Sequence, residues 1–345
     1  MRAAVLNGPR DLAVCEVPDP RPPKGWALVR VAYNSICGSD VSLYNNAWHG
    51  TAFPAIPGHE WSGVVVEAPP GAVVAGDKVV ADLTLGCGRC RWCRRSQTVM
   101  CPELREFGFT DPGGCAEYIA IPATNLVRLE PEADLLAATQ VEPLAVALHA
   151  LSRVRLEPGE RVAVLGCGGI GLTLLQAARA AGAEVVLAVD PVPERARRAA
   201  LLGAGTALSD AGEVAAWIAG TDPQRLPDVV LEASGEPEAI VTASELVVPG
   251  GRLGMVGYRV GREVRLESAR WPLKLMETIG VMGPGRFMAP AADLVTRGVL
   301  RTEDVITHVV ELAEADKAFG LADDPGSEVV RVAIRAGGQA RTWPS

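Results

Sequence analysis

The segment RVAVLGCGGIGLTLLQAARAAGAEVVLAVD, Arg161 to Asp190, restricts the fold of this chain more than any other stretch. A β-rich run leads directly into Gly166, Gly168 and Gly171, and a helical run follows. In such a strand–turn–helix unit the first glycine permits the tight turn, the second lets backbone approach a pyrophosphate, and the third lets helix pack on strand. Gly169 and Ile170 fall at the helix start, where unpaired N–H groups and the helix dipole favour an anion. Asp190 closes the next strand nineteen residues after the third glycine, where a carboxylate accepts hydrogen bonds from adenosine ribose hydroxyls. Its charge repels a 2′-phosphate, so NAD is the preferred cofactor. Arg195, with Arg197 and Arg198, keeps NADP possible, because these arginines either hold that phosphate or form a solvated helix face.

Strand and helix keep alternating through ERARRAALLGA, DVVLEASG, GGRLGMVGY and ETIGVMG, which predicts a parallel sheet covered by helices. Up to about Ala120 the texture differs: short β-rich segments such as WALVRVAYN and WSGVVVEA are broken by PDPRPPKG and APPGA, the pattern of a small barrel or sandwich. From about Met288 the segments DLVTRGVL and VVRVAIRA are expected to rejoin that first unit. The chain is thus expected to be α/β with two domains, a β-rich catalytic domain over 1–148 and 286–345 and a dinucleotide-binding domain over 149–285. Its 345 residues, 48% hydrophobic, suffice for two cores.

Cys87, Cys90, Cys93 and Cys101 lie within fifteen residues. At C-x2-C-x2-C-x7-C four thiolates can turn inward on one loop and close a tetrahedral zinc site with no position left for substrate. Two disulfides are the alternative, and a two-knuckle nucleic-acid ribbon would separate its pairs by about 15–20 residues. Cys15, Cys115 and Cys167 read as small buried hydrophobes.

The net charge of −8 argues against a nucleic-acid partner, which needs a concentrated basic face. Arg89 to Arg95 is the one basic cluster and reads as a solvated loop around a metal. No run of eighteen apolar residues occurs, so no membrane span is expected, and the amino terminus reaches proline and polar punctuation too soon for a secretory signal. The expected setting is cytoplasmic, where cysteines serve as ligands or buried thiols.

CGSD, Cys37 to Asp40, and GHE, Gly58 to Glu60, supply a thiolate and an imidazole, and Glu142 in VEPLAVALHA offers a carboxylate. Three protein ligands and water make an open zinc site able to polarise a hydroxyl. Taken singly, Cys37 reads equally as a buried thiol and His59 as a core histidine. Tyr44, Trp48, His49 and Trp61 either line a pocket suited to a polar ring or belong to the core.

CGSD, GHE, the four-cysteine loop, GGCAEY, EPLAVALHA and GCGGIG occur in an order that resembles the zinc-dependent medium-chain alcohol dehydrogenases, across essentially the whole chain. Glu142 followed by Pro143 resembles the sorbitol and threonine dehydrogenase branch. RVAYNSICGSD, PGHEWSG, QVEPLAVALHA and VGYRV further resemble a subgroup, the 2-deoxy-scyllo-inosamine dehydrogenases of aminoglycoside antibiotic biosynthesis. The resemblance implies a GroES-like catalytic domain with two zincs, a Rossmann domain carrying NAD, and hydride transfer from a ring CH–OH carbon to the nicotinamide. It implies that Cys37, His59 and Glu142 hold the catalytic zinc, that Glu60 stands beside the metal and exchanges with water or Glu142, that Asp40 orients His59, and that Ser39 accepts the alcohol proton. Ser42 replaces a histidine that ends the proton relay in many relatives, and His49 is a candidate substitute. The implied substrate is a small polar cyclitol or polyol, and the implied assembly a homo-oligomer, dimer or tetramer. L-Threonine and a sorbitol-like polyol are the nearest alternatives; a zinc-free quinone reductase or a non-catalytic NAD-binding protein is the alternative of another class.

Overall fold

The computed structural model describes residues 1–46, 52–324, 326 and 328–337. Six parallel strands form one sheet in the spatial order Thr206–Leu208, Glu184–Val189, Arg161–Leu165, Val229–Glu232, Arg252–Met255, Glu277–Gly280. In chain order this is 3-2-1-4-5-6, the doubly wound arrangement that leaves a crevice where the first and fourth strands part at their carboxyl ends. Both faces of the sheet are covered, and the central strand shows why. Val162 and Val164 join one core with Leu172 and Leu175 of the Gly169–Ala180 helix, whereas Ala163 and Leu165 join another with Ala243 and Leu246 of the Pro237–Leu246 helix. Side chains alternate across a strand, so an unbroken apolar run feeds two cores. Thr206–Leu208 is too short to have stood out in the sequence.

A second sheet runs Ile306–Glu311, Arg331–Arg335, Trp26–Ser35, Glu60–Glu67, Lys78–Ala81, Leu126–Arg128, with Tyr118–Pro122 also paired to Trp26–Ser35. The last strands of the chain thus return to the amino-terminal unit. The Val141–Arg153 helix packs on both the Gly169–Ala180 helix and the Glu60–Glu67 strand, tying the two sheets together. Among the described residues no helix is long and apolar enough to cross a membrane. All eight cysteines are free of disulfides.

Register in the second sheet places the chemistry. Ser35 pairs antiparallel with Glu60, and Ala333 with Ser35. Cys37 lies two residues past Ser35, His59 one residue before Glu60, and Arg331 two residues before Ala333, so all reach the same rim.

Candidate active site and zinc centres

Cys37 caps the Gly38–Tyr44 helix, and its backbone N–H donates to Asp40 Oδ2 at 2.9 Å. Asp40 is fully buried; its Oδ1 accepts from Gly58 N at 3.2 Å and lies 3.2 Å from His59 Nδ1. One carboxylate thus fixes both segments that carry donors and leaves His59 Nε2 facing outward, 3.5 Å from Ser39 Oγ. Gly58 takes φ +102°, and a Cβ there would meet Asn34 Oδ1 at 2.6 Å, so glycine is required ahead of His59. Burial opposes a charge on His59, but the Asp40 carboxylate outweighs it and holds the imidazole well above its ordinary value.

The donor atoms of Cys37, His59 and Glu60 all lie within 4.8 Å of one another. A thiolate, an imidazole and a carboxylate at that spacing fit zinc with a position to spare. Glu142 lines the same cavity but stands outside that group. Glu60 also pairs with Arg331, both side chains almost wholly buried. Burial, reinforced by the Glu60 charge, pushes the Glu142 carboxyl up to about 8 from 4.5. The folded, zinc-free chain therefore holds a proton that the unfolded chain releases between about 4.5 and about 8, so its stability should fall as pH rises through that window. Glu142→Gln should flatten this slope in thermal melts of chelated protein; an unchanged slope would assign it to another group.

The four Sγ atoms of Cys87, Cys90, Cys93 and Cys101 likewise fall within 4.8 Å of one another. Backbone N–H groups of Cys87 and Glu103 donate to Cys101 Sγ at 3.3 and 3.4 Å, and that of Cys93 to Cys90 Sγ at 3.4 Å. The Cys93 N–H holds the Cys90 thiol down at about 7, favouring the thiolate that a metal requires. This set fits a closed structural zinc.

A cavity of about 360 Å³ joins the two sheets. Gly166, Gly168, Gly169, Ile170, Asp190 and Arg195 line one side of it, Cys37, Ser39, His59, Glu60 and Glu142 the other. Gly166 adopts φ +87°, and a Cβ on Gly171 would collide with its carbonyl oxygen; Gly171 therefore acts in packing, away from the cavity. A Cβ on Gly168 would project into open space. The buried Nε atoms of Arg195 and Arg331 have no hydrogen-bond partner, which suits an anionic cofactor beside the helix start. Asp190 accepts from Cys167 N at 2.7 Å and Val192 N at 2.9 Å, and a carboxylate has lone pairs left for a ribose hydroxyl. Asp190→Asn keeps one acceptor but removes the charge; NAD should bind roughly 10- to 100-fold more weakly, and the NAD-over-NADP preference should narrow. Equal kcat/KM for the two cofactors in the unaltered protein would contradict Asp190 as selector. Arg197 and Arg198 both pair with Glu194; Arg197 is exposed, as on a solvated face, whereas Arg198 is largely buried and its Nε has no hydrogen-bond partner among the described residues.

Of the pocket candidates named from the sequence, Trp61 is core and Tyr44 is half-buried against the core. Trp61 is packed with Val29 and Val79, and Tyr44 lies against Phe319 at 5.5 Å beneath Arg10. Adjacent strand residues face opposite ways, so with Glu60 at the site Trp61 must turn inward. Trp48 and His49 lie outside the described residues. Conversely, Arg331, Glu106, Phe109, Thr84 and Tyr258 line the cavity without having been singled out. Arg331 alone left a trace, a cation inside the apolar VVRVAIRA. Phe109 lies over the His59 ring at 5.1 Å. Burial raises the Tyr258 hydroxyl above its ordinary value, with the Cys37 thiolate adding to it, and burial also raises Glu106.

Residues 23–131 match the alcohol dehydrogenase GroES-like domain, and residues 169–297 the zinc-binding dehydrogenase family. An erythritol/L-threitol dehydrogenase of Mycolicibacterium smegmatis is 32% identical over 97% of both chains. An L-threonine 3-dehydrogenase of Bacillus velezensis is 31% identical over 89% of this chain and 90% of its own. Among solved structures, the alcohol dehydrogenase TADH from Thermus sp. ATN1 superposes with a TM-score of 0.88 at 32% identity, covering 97% of this chain and 99% of its own. The chain belongs to the zinc-dependent medium-chain alcohol dehydrogenases, in the branch of the sorbitol and threonine dehydrogenases. It is an oxidoreductase of the polyol or threonine type with a catalytic and a structural zinc and a nicotinamide cofactor, which sets aside the zinc-free and non-catalytic alternatives.

Proposed function

We propose that the protein oxidises a ring secondary alcohol with NAD, and that its substrate is 2-deoxy-scyllo-inosamine, converted to 3-amino-2,3-dideoxy-scyllo-inosose in aminoglycoside antibiotic biosynthesis. The observation that carries this reading is the cavity wall beside the Cys37–His59–Glu60 donors: Thr84, Glu106 and Tyr258 supply polar groups and Phe109 a flat apolar face. Such a mixture suits a compact polyhydroxylated ring better than a simple aliphatic alcohol. The subgroup sequence resemblance supports the same assignment. Polyol or L-threonine oxidation is the second reading, favoured by the similarity to an erythritol/L-threitol dehydrogenase and an L-threonine 3-dehydrogenase.

Cys37 and His59, with Glu60 or Glu142, hold the catalytic zinc in this account; Cys87, Cys90, Cys93 and Cys101 hold the structural one. When bound, zinc acts as a Lewis acid at the substrate oxygen and the nicotinamide accepts hydride. The Asp40 carboxylate, 3.2 Å from His59 Nδ1, attracts that side of the ring by charge, so the ring presents Nε2. Ser39 Oγ, at the cavity wall near His59, takes the hydroxyl proton. Ser42 Oγ donates to the Gly38 carbonyl at 3.0 Å, so its hydroxyl proton is held by backbone and Ser39 would pass the proton to water rather than through Ser42. Gly166, Gly168, Gly169 and Ile170 seat the pyrophosphate, and the two sheets fix cofactor and substrate so that transfer needs no diffusional encounter.

Among the described residues the strand Glu277–Gly280 ends its sheet with one edge unpaired, and Leu273, Leu275 and Met282 around it are exposed at 81%, 76% and 40%. An uncovered edge flanked by apolar side chains favours association, in keeping with a homo-oligomer, dimer or tetramer. The reducing cytoplasm suits the eight unpaired cysteines.

The test is a substrate panel with NAD, following nicotinamide absorbance for 2-deoxy-scyllo-inosamine, sorbitol, L-threonine and ethanol. The aminocyclitol should give the highest kcat/KM. A higher value for sorbitol or threonine would replace this assignment with the second reading.

A further inference from the structure

We infer that Glu106 is the group that recognises a protonated amine on the substrate, making the enzyme selective for cationic amino alcohols over neutral polyols. The inference rests on the amino-alcohol reading of the substrate and assigns its recognition to one carboxylate. Glu106 ends a two-residue strand, Arg105–Glu106, paired opposite Thr84. Its backbone is held from both sides: its N–H donates to Thr110 Oγ1 at 2.7 Å, and its carbonyl accepts from Phe109 N, Thr110 N and Asp111 N at 3.2, 2.9 and 3.1 Å. A residue so pinned projects its side chain in a fixed direction, and here that is into the cavity. Arg105 cannot neutralise it, because Arg105 faces away and pairs with Asp111.

The other charged groups around the cavity already have hydrogen-bond or ion-pair partners. Arg331 is paired with Glu60, Arg259 with Glu236 at 3.1 Å, and Arg195 donates to the Val329 carbonyl at 2.9 Å. Asp82, the nearest further acid, accepts from Thr84 N and Oγ1 at 2.8 and 2.7 Å. His59 belongs to the metal set, and Glu142 is buried behind it next to Glu60. Glu106 remains half-buried, with no hydrogen bond or ion pair from its carboxylate to any described residue. His59 is the one cation that lowers the Glu106 carboxyl, and it belongs to the metal set, so the partly desolvated carboxylate is left without a direct ion-pair partner, which is costly. A neutral hydroxyl would give it one hydrogen bond; an ammonium gives hydrogen bonds and the missing charge together.

The experiment compares the zinc-loaded enzyme with its Glu106→Gln and Glu106→Leu variants on two substrates, 2-deoxy-scyllo-inosamine and its counterpart bearing hydroxyl in place of the amine. Zinc content and NAD binding are measured on the same preparations, to show that each variant is folded and loaded. The ratio of kcat/KM for amine over hydroxyl should exceed one in the unaltered enzyme and fall roughly 10- to 100-fold in Glu106→Gln, the loss expected for one charge-assisted contact, chiefly through KM. An unaltered enzyme with no preference for the amine overturns the amino-alcohol reading and this inference with it. A clear preference that survives in Glu106→Gln, or an equal loss on both substrates, overturns the role of Glu106 and leaves that reading standing.

Discussion

Replacing Arg331 with leucine should destabilise the protein by about 3–5 kcal/mol, the usual cost of leaving one member of a buried ion pair alone. The Arg331 and Glu60 side chains are only 4% and 1% exposed, so water cannot replace the lost partner. Burial keeps the neighbouring Glu142 carboxyl protonated at neutral pH, so it brings no cation to replace Arg331. Zinc held by Cys37 and His59 would offer Glu60 another counter-charge, so the loss should be larger in chelated protein than in the loaded enzyme. The double change Arg331→Leu with Glu60→Gln removes both charges and should regain much of the stability. Urea unfolding of the three proteins, each chelated and zinc-loaded, checks this. A loss below about 1 kcal/mol for Arg331→Leu would place the pair among weakly coupled, solvent-screened contacts.

The second large effect concerns His59. His59→Ala removes one of two ligands that no neighbouring residue can replace, and should empty the open zinc site while sparing the four-cysteine one. Lewis-acid stabilisation is worth several kcal/mol, so turnover should drop by at least about a thousandfold. Asp40→Asn disturbs the same imidazole without touching the metal and should lower zinc affinity only about 10- to 100-fold, with activity returning as zinc is added. Similar behaviour of the two variants, both rescued by added zinc, would mean that His59 supports the site without ligating it.

These two residues also show what could be read in the sequence and what could not. The dinucleotide fold was legible because its signals are local: Gly166, Gly168, Gly171 and Asp190 lie within one strand–helix–strand unit, and the turn geometry demands those types. Cys87 to Cys101 was legible for the same reason. Cys37 and His59 were recognisable from short motifs, but only the Ser35–Glu60 register explains why they meet. The Glu60–Arg331 pair joins residues 271 positions apart, beyond the reach of any periodicity. Glu106, in a two-residue strand, and Tyr258, in a loop, could not be placed from the sequence because long-range packing sets where each segment goes. Tyr44 and Trp61 were ambiguous for the converse reason: aromatics near a site motif look like pocket residues, yet strand alternation buries Trp61 and Tyr44 packs half-buried against Phe319.

The central claim, an open catalytic zinc and a closed structural zinc in one chain, is tested most directly by counting zinc against turnover during graded chelation. Elemental analysis of the untreated enzyme should find about two zincs per chain, on the four-ligand and three-ligand sets. Turnover should disappear as the first zinc leaves, while the second zinc and the folded structure persist. Full activity with one zinc or fewer per chain, or activity that declines only as the four-cysteine zinc is lost, would contradict the account.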